Sequence, residues 1–169
     1  MQNWIYKNDA ANKNRFVLGV KGKSPLICIG INPSTATPDK LDNTLTAVSR
    51  RALDYHFDGW IMLNVYPQRA TNPNNLHKRL NKTIHKQNLL EIEKTLRQFP
   101  DATIWAAWGN LIEKRDFLKT CLKDIITLSN KYNCKGISVG DISKLGHPHH
   151  PLYLKKELMP EEFEVMGYM

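Results

Sequence analysis

Three histidines stand close together near the end of the chain, in the stretch LGHPHHPLYL (145–154). The imidazoles of His147, His149 and His150 could bind a metal ion, donate hydrogen bonds to a ligand or carry protons. The two prolines between and after them favour an extended loop, in which His147 and His149 share one side and His150 points the other way. Zinc needs three or four ligands that converge, so a metal site is the weaker alternative. The pattern favours a rigid loop that binds a ligand.

An asparagine followed by a proline marks a second candidate segment, GINPST (30–35). Asn32, held rigid by Pro33, could orient a water molecule or a ligand. The backbone N–H groups of Ser34 and Thr35 could contact a phosphate. The alternative is an ordinary turn, because Asn-Pro commonly begins one.

Two further segments place polar and aromatic residues at the end of an apolar run. In LNVYPQRATNP (63–73), the Asn64 carboxamide offers a donor and an acceptor and so matches a nucleobase edge. Tyr66 could stack on a ligand and Arg69 could pair with phosphate. In AWGN (107–110), Gly109 permits close approach of a ligand, and Trp108 belongs either to that site or to the core. The alternatives are a backbone-bonded Asn64 and surface positions for Tyr66 and Arg69.

These segments are connected by an alternation of strand-like and helix-like sequence, preceded by one predicted edge strand at 15–20. The alternating runs are 26–31, 44–57, 60–65, 77–99, 102–108, 110–132 and 134–140. The order β-α-β-α-β-α-β predicts an α/β fold with a parallel sheet and helices on both faces. Ligands of such sheets bind beyond the carboxyl ends of the strands, so we expect all four polar segments to meet at one edge.

The composition is that of one domain with a basic surface. The 169 residues carry a formal net charge of +8, although the segment 157–169 has four glutamates, no lysine and no arginine, and is predicted as an acidic tail. A positive excess favours partners that carry phosphate, here DNA or a small nucleotide. There is no apolar run long enough to span a bilayer, and the three cysteines lack disulfide or metal-site spacing. We expect a single cytoplasmic domain, 1–169, with no membrane partner.

The four segments, in their order, resemble the motifs of the uracil-DNA glycosylase superfamily. That superfamily has G-x-[DN]-P after its first core strand, then L-L-N, then an apolar strand closing in W-G, and a histidine loop H-P-S-P-L. Here GINP, MLN, AAWG and HPHHPL occur in that order across residues 30–152. The run from NPSTA through WG to GHPHHPLYL is also similar to a small bacterial and phage family of unknown function. Asp42 and Thr44, shared with that family, either cap a helix or bind ligand.

The resemblance implies a fold and a set of roles. The fold is a three-layer α/β/α sandwich around a central, mainly parallel four-stranded sheet. Asn32 would position a hydrolytic water, and Asn64 would read the base edge. His147 would stabilise negative charge on the departing base. Leu152 would be the apolar wedge that fills the gap left by a flipped nucleotide.

The sequence departs from the superfamily pattern at several positions. Asn32 stands where the efficient uracil-specific enzymes have aspartate, and Ser34 replaces the bulky aromatic that excludes a 5-methyl group. The histidine loop has one extra residue, which leaves open which of its three histidines faces the ligand. The base-stacking aromatic is also open, with Tyr55, Trp60 and Tyr66 as candidates.

Together these patterns predict a metal-independent DNA glycosylase that hydrolyses the N-glycosidic bond of an altered base and needs no cofactor. One alternative is a non-catalytic binder of a small nucleotide in the same pocket. Another is a DNA-binding accessory protein that uses only the basic residues of the predicted helices. Those residues are Arg50, Arg51, Lys78, Arg79, Lys82, Lys86, Lys114, Arg115, Lys119 and Lys123.

Overall fold

Seven strands form one sheet in a computed structural model of the protein, which describes residues 1–168. Their spatial order is β1-β2-β4-β3-β5-β6-β7. The strands are β1 Trp4–Asn8, β2 Arg15–Val20, β3 Leu26–Gly30, β4 Trp60–Asn64, β5 Thr103–Ala106, β6 Lys135–Val139 and β7 Pro160–Glu162.

Within residues 1–168, four α-helices and two short 3-10 helices connect or follow these strands. The α-helices are α1 Asn43–Asp54, α2 Lys82–Gln98, α3 Asp116–Lys131 and α4 Val165–Tyr168, and the 3-10 helices are Pro73–Asn75 and Gly109–Glu113. Asp42 caps α1, because its Oδ1 accepts a hydrogen bond from the Leu45 N–H at 2.9 Å. Asn81 caps α2 through the N–H groups of Thr83 and Ile84.

The sheet is mixed, with three parallel and three antiparallel pairings. The strands β4, β3, β5 and β6 pair in parallel, whereas β1–β2, β2–β4 and β6–β7 are antiparallel. The α/β class is therefore shown. The expected four-stranded, mainly parallel sheet is corrected to a seven-stranded mixed one, because the flanking strands add antiparallel pairings on both sides.

The core has two apolar clusters, one on each face of the sheet. Along β3, Leu26 and Cys28 belong to the cluster that includes α1, and Ile27 and Ile29 belong to the cluster that includes α2 and α3. This alternation follows from the two-residue period of a strand. Both faces of β3 are thus covered by helices, which accounts for its continuously apolar sequence.

Several predicted boundaries are corrected by the structure. The strand at 15–20 is not an edge, because β1 and β4 pair on either side of it. The helix expected at 77–99 begins at Lys82, after its Asn81 cap. The segment expected as an acidic tail contains β7, which pairs with β6 and extends the sheet. Within the described residues, no helix has the length and apolarity needed to cross a membrane.

The connections reverse direction between β3 and β5. From β3 the chain passes through α1 to β4, and from β5 it passes through α3 to β6 on the opposite side and the opposite face. A crevice forms at such a switch point, beyond the carboxyl ends of the strands, and is where open α/β sheets bind ligands. We call the edge where β3, β4 and β5 end the carboxyl edge.

Candidate functional site

Backbone hydrogen bonds hold the loops of the carboxyl edge side by side. The N–H groups of Val65 and Tyr66 donate to Gly30 and Ile31 at 2.8 and 2.9 Å, which joins the loop after β4 to the loop after β3. The Ala107 N–H donates to Ile29 at 3.0 Å and brings in the loop after β5. Three of the four predicted segments therefore lie together.

Gly109 joins the fourth segment, the histidine loop, to this edge. Its N–H donates to the Pro148 carbonyl at 3.0 Å, and its φ of +60° is a conformation that favours glycine. A Cβ added at Gly109 would lie 3.4 Å from the His150 Cβ, at the short limit of ordinary van der Waals contact. The backbone conformation of Gly109 thus places the histidine loop, with His150, against this edge.

Asn32 is fixed through its amide nitrogen. Its Nδ2 donates to the carbonyls of Pro33, Gln68 and Ala70 at 3.0, 3.3 and 2.9 Å. Three surrounding carbonyls assign the amide orientation, because only the nitrogen can donate to them. The Asn32 Oδ1 accepts no hydrogen bond from the described residues, so it remains available to a water or ligand.

Asn64 is buried beside Arg15, a residue that the sequence patterns did not indicate. Both side chains are 1% exposed, and the Arg15 Nη2 donates to the Asn64 Oδ1 at 3.2 Å. The Arg15 Nε and Nη1 and the Asn64 Nδ2 have no partner among the described residues, although they are buried. The Asn64 Oδ1 already accepts one hydrogen bond from Arg15, whereas no N–H of its Nδ2 is paired with a described residue. The larger unmet capacity of Asn64 is therefore that of its N–H donors.

Two further charges lie close to Arg15. Burial, followed by the charge of Arg69, lowers the pKa of Arg15 to about 10, and the carboxylate of Asp42 opposes this shift. Arg69 was predicted to bind phosphate, but its guanidinium donates to the carbonyls of Ser34 and Ala36 at 2.6 and 3.2 Å. It also donates to the Tyr6 hydroxyl at 2.7 Å. Arg69 thus braces the loop after β3.

His150 carries its available proton on Nε2. The Leu152 N–H donates to the His150 Nδ1 at 3.2 Å, so the neutral ring bears hydrogen at Nε2, which has no partner among the described residues. Burial is the main cause that lowers the pKa of His150, with a contribution from His149 and an opposing one from Asp42. His150 is therefore a neutral donor around neutral pH.

His149 is oriented by the loop itself. Its Nδ1–H donates to the His150 carbonyl at 2.8 Å, which leaves Nε2 as an acceptor. The half-buried ring thus stabilises the loop conformation that presents His150.

His147 has both ring nitrogens occupied and is 6% exposed. Its Nε2 lies 2.9 Å from the Glu113 Oε1, and its Nδ1 is hydrogen-bonded to the Tyr168 hydroxyl. The Trp108 Nε1 donates to the same hydroxyl at 3.1 Å. We call Trp108, Glu113, His147 and Tyr168 the paired cluster. It leaves no nitrogen of His147 for a departing base.

The aromatic candidates for base stacking are used within the fold. Tyr66 is 0% exposed and its hydroxyl bonds the His77 Nδ1 at 2.7 Å. Trp60 and Trp108 are also buried, and the Tyr55 hydroxyl donates to the Leu158 carbonyl at 2.8 Å. Trp108 thus follows the core alternative. None of these rings presents an open face at the carboxyl edge.

The remaining predicted residues lie at the edge with lesser roles. Pro33 is buried, Leu152 and Thr44 are half-buried, and Asp42 follows the cap alternative. Ser34 and Thr35 line a cleft of about 290 Å³ together with Arg69. The Ser34 hydroxyl bonds that of Thr71 at 2.6 Å, and phosphate contact by the loop stays a prediction.

The structure also bears on the metal alternative. In residues 1–168, no three or more His, Cys, Asp or Glu side chains form a group that could hold a metal ion. His147 and His149 engage separate partners.

The fold and this edge define an α/β protein whose candidate site lies beyond three parallel strands. Residues 15–152 match the family described as "Protein of unknown function (DUF1643)", and the chain belongs to that family. No curated protein and no solved structure matched the chain. The match spans Arg15, Asn32, Asn64 and His150. The relation to uracil-DNA glycosylases stays a prediction.

Arg15 could have been found from one sequence signal. It is the charged residue that opens an otherwise apolar strand-like run, RFVLGV. A charge in that position is usually solvated, and the sequence does not show that β1 and β4 enclose it.

Proposed function

We propose that the protein binds a nucleotide at the carboxyl edge and hydrolyses its N-glycosidic bond, with a glycosylase-like three-layer fold. The observation that carries the proposal is the pair of free atoms at the switch point. These atoms are the Asn32 Oδ1, an acceptor whose amide is clamped, and the His150 Nε2–H, a neutral donor. Hydrolysis of this bond needs an acceptor at the water and a donor at the departing base.

The proposed step uses these two atoms on opposite ends of the breaking bond. The Asn32 Oδ1 accepts a hydrogen bond from a water and aims its oxygen at the sugar carbon. That oxygen bonds to the carbon as the base leaves with the bonding electron pair, and His150 donates a hydrogen bond to the developing negative charge. The attacking water loses a proton to solvent and the base gains one. Asn32 is neutral and orients the water without taking its proton.

His150 replaces His147 in this proposal. The resemblance assigned charge stabilisation to the first histidine of the loop, but both nitrogens of His147 have partners. The extra residue of the loop accounts for the change, since it moves the register of the histidines relative to Gly109. His150 is the histidine whose Cβ lies against that glycine.

DNA is the proposed source of the nucleotide, and basic residues at the carboxyl edge support this. Lys78, Arg79 and Lys82 are exposed in the loop between β4 and α2 and at the start of α2, and Lys144 is exposed after β6. Exposed lysine and arginine side chains there would contact phosphates. Arg51 is different, since it is buried and donates to loop carbonyls including Lys155 at 2.8 Å.

The test is an excision assay with oligonucleotides that carry uracil, thymine opposite guanine, or modified bases, with abasic sites revealed by alkaline cleavage. We expect Asn32→Ala to lower the rate about 10²-fold because the water is no longer positioned. We expect His150→Ala to lower it about 10²- to 10³-fold. Gln87→Ala, which truncates an exposed amide on α2, is the matched control and should retain the rate.

A non-catalytic nucleotide binder is the second candidate, and the Asn32 clamp also favours it. An asparagine that donates to three carbonyls stabilises a loop whether or not it holds a water. Absence of abasic sites for every base, together with binding of a nucleotide by the folded protein, would replace the first proposal with this one.

A further inference from the structure

Arg15 is a charged side chain in the protein interior, and within residues 1–168 it has a single side-chain hydrogen-bond partner. It is 1% exposed, and only its Nη2 is engaged, by the Asn64 Oδ1. The Nε and Nη1 of the same guanidinium have no partner in the described part of the chain, and neither has the Asn64 Nδ2. Among residues 1–168, no carboxylate lies within 4.0 Å of Arg15.

Such an arrangement is costly unless something pairs with it. A buried guanidinium stays protonated, and an uncompensated buried charge destabilises a protein by several kcal/mol, on the order of 3–5 when a partner is removed. Buried donors without partners cost roughly 1–3 kcal/mol each. Three such nitrogens on two side chains that are hydrogen-bonded to each other therefore indicate a binding partner.

The charges around Arg15 favour an anion. Arg69 adds a positive charge, and its nitrogens are held by carbonyls and the Tyr6 hydroxyl. Asp42 is the nearby negative charge, and its Oδ1 is committed to the cap of α1. Two cations and one anion leave a net positive charge at this end of β4.

We infer that Arg15 and Asn64 form an oxyanion subsite that binds a phosphate group at the carboxyl end of β4. The Arg15 Nε has one N–H, and the Arg15 Nη1 and the Asn64 Nδ2 have two each. A phosphate offers more acceptor oxygens to this set than a carboxylate does, and its charge pairs with the guanidinium. Neither the Nε nor the Nη1 of Arg15 contacts solvent, so the loops that cover the guanidinium must shift when the anion enters.

The subsite orders the parts of a nucleotide along the sheet. The three strands lie in the order β4-β3-β5, which places Arg15 and Asn64, then Asn32, then His150 along the carboxyl edge. A nucleotide lying across them has its phosphate at β4, its sugar at β3 and its base at β5. The assignment of the phosphate to a nucleotide rests on the proposed function, whereas the anion subsite does not.

Calorimetric titration of the full chain with inorganic phosphate tests the subsite, with parallel titrations of sodium chloride and sodium acetate at equal ionic strength. We expect saturable phosphate binding and at least tenfold weaker binding by Arg15→Gln. The control is Arg115→Gln, because the guanidinium of Arg115 is already satisfied by four backbone carbonyls and should not bind phosphate. Phosphate binding no stronger than that of chloride and acetate, or equal loss in both variants, overturns the inference. If Arg15→Gln does not fold, the Arg15 Nε–H signal of the wild type decides the matter, since it should shift and saturate as phosphate is added, and an unchanged signal overturns the inference.

Titrations with deoxyuridine and deoxyuridine 5′-monophosphate distinguish a subsite for the phosphate of a nucleotide from a subsite for free phosphate. A nucleotide ligand predicts tighter binding of the monophosphate than of either deoxyuridine or inorganic phosphate, and loss of that advantage in Arg15→Gln. Equal affinity for inorganic phosphate and the monophosphate would assign the subsite to free phosphate. Arg15-dependent phosphate binding without base excision would reject the proposed function and retain the subsite. Base excision without phosphate binding would reject the subsite and retain the proposed function.

Discussion

Two groups of polar side chains, the paired cluster and the pair formed by Arg15 and Asn64, differ in how completely their hydrogen bonds are satisfied. In the paired cluster, the Trp108 indole, the Tyr168 hydroxyl, both nitrogens of His147 and a carboxylate oxygen of Glu113 form a continuous chain of hydrogen bonds. In the group formed by Arg15 and Asn64, one side-chain hydrogen bond is made, and three nitrogens have no partner among the residues that the structure describes.

This difference separates structural from ligand-binding roles for residues of similar chemistry. A satisfied network is stable by itself and gains nothing from a ligand, whereas unpaired buried donors gain free energy when an acceptor arrives. The difference explains why His147, the first candidate by motif position, is placed in the scaffold. It also explains why Arg15, which no motif indicated, is placed in the site.

The largest expected effect on stability lies in the paired cluster. Trp108→Ala removes a 1% exposed ring that packs on Phe163 and Tyr168, and we expect it to lower the free energy of unfolding by about 3–5 kcal/mol. Urea denaturation followed by circular dichroism measures the change. A loss below about 1 kcal/mol would show that Trp108 is not part of the scaffold.

His147→Ala should have the next largest effect. It leaves the Tyr168 hydroxyl and the Glu113 carboxylate without their shared partner, and we expect a loss of about 1–3 kcal/mol in the free energy of unfolding. His149→Ala is the control on the same loop, since it breaks one bond to a carbonyl and should cost less. Equal losses in the free energy of unfolding would show that His147 and His149 contribute equally to the stability of the fold.

Arg15→Met should change stability little in phosphate-free buffer. The substitution removes an unpaired buried charge, which is favourable, and leaves the Asn64 Oδ1 without a donor, which is not. We expect the free energy of unfolding to stay within about 1 kcal/mol of the wild type. A loss of about 3 kcal/mol or more in urea denaturation would mean that Arg15 is a scaffold residue like His147.

The smallest effect is the dependence of the paired cluster on pH. The hydrogen bond from Lys119, followed by that from His147, lowers the pKa of Glu113. A lowered carboxyl pKa stabilises the fold above the unfolded pKa, and that stability is lost as pH falls through the lower folded value. Thermal midpoints from about pH 6 to about pH 3 should therefore fall less steeply in Glu113→Gln than in the wild type. If the thermal midpoints of both proteins fall equally steeply with pH, Glu113 does not stabilise the paired cluster.

The sequence anticipated the elements that depend on local pattern and missed those that depend on pairing. The apolar runs at β3, β4 and β5 were placed within a few residues, because strands buried on both faces have continuous apolar sequence. The short strand β7 was missed, since PEE has no strand pattern and is held by β6. The gathering of the four segments followed from topology alone.

The individual site residues were harder to predict. Asp42 was recognisable as a cap position and caps α1. Asn32 was recognisable as a polar residue after an apolar run, and it lies just beyond β3. The histidine that offers a free N–H to a ligand is identified by the hydrogen-bond partners of the three rings. The sequence does not show those partners. The burial of Tyr66 and the pairing of Arg15 with Asn64 depend on strands distant in the chain.

A ¹H–¹⁵N correlation spectrum that covers side-chain nitrogens, recorded while deoxyuridine 5′-monophosphate is added, tests the contrast between the two groups most directly. The spectrum contains the Arg15 Nε–H and Asn64 Nδ2 signals of the unpaired group and the Trp108 Nε1–H signal of the paired cluster. We predict that the Arg15 and Asn64 signals shift and saturate together while the Trp108 signal stays in place. A saturable shift of Trp108 with unchanged Arg15 and Asn64 signals would contradict the account and move the ligand site to the paired cluster.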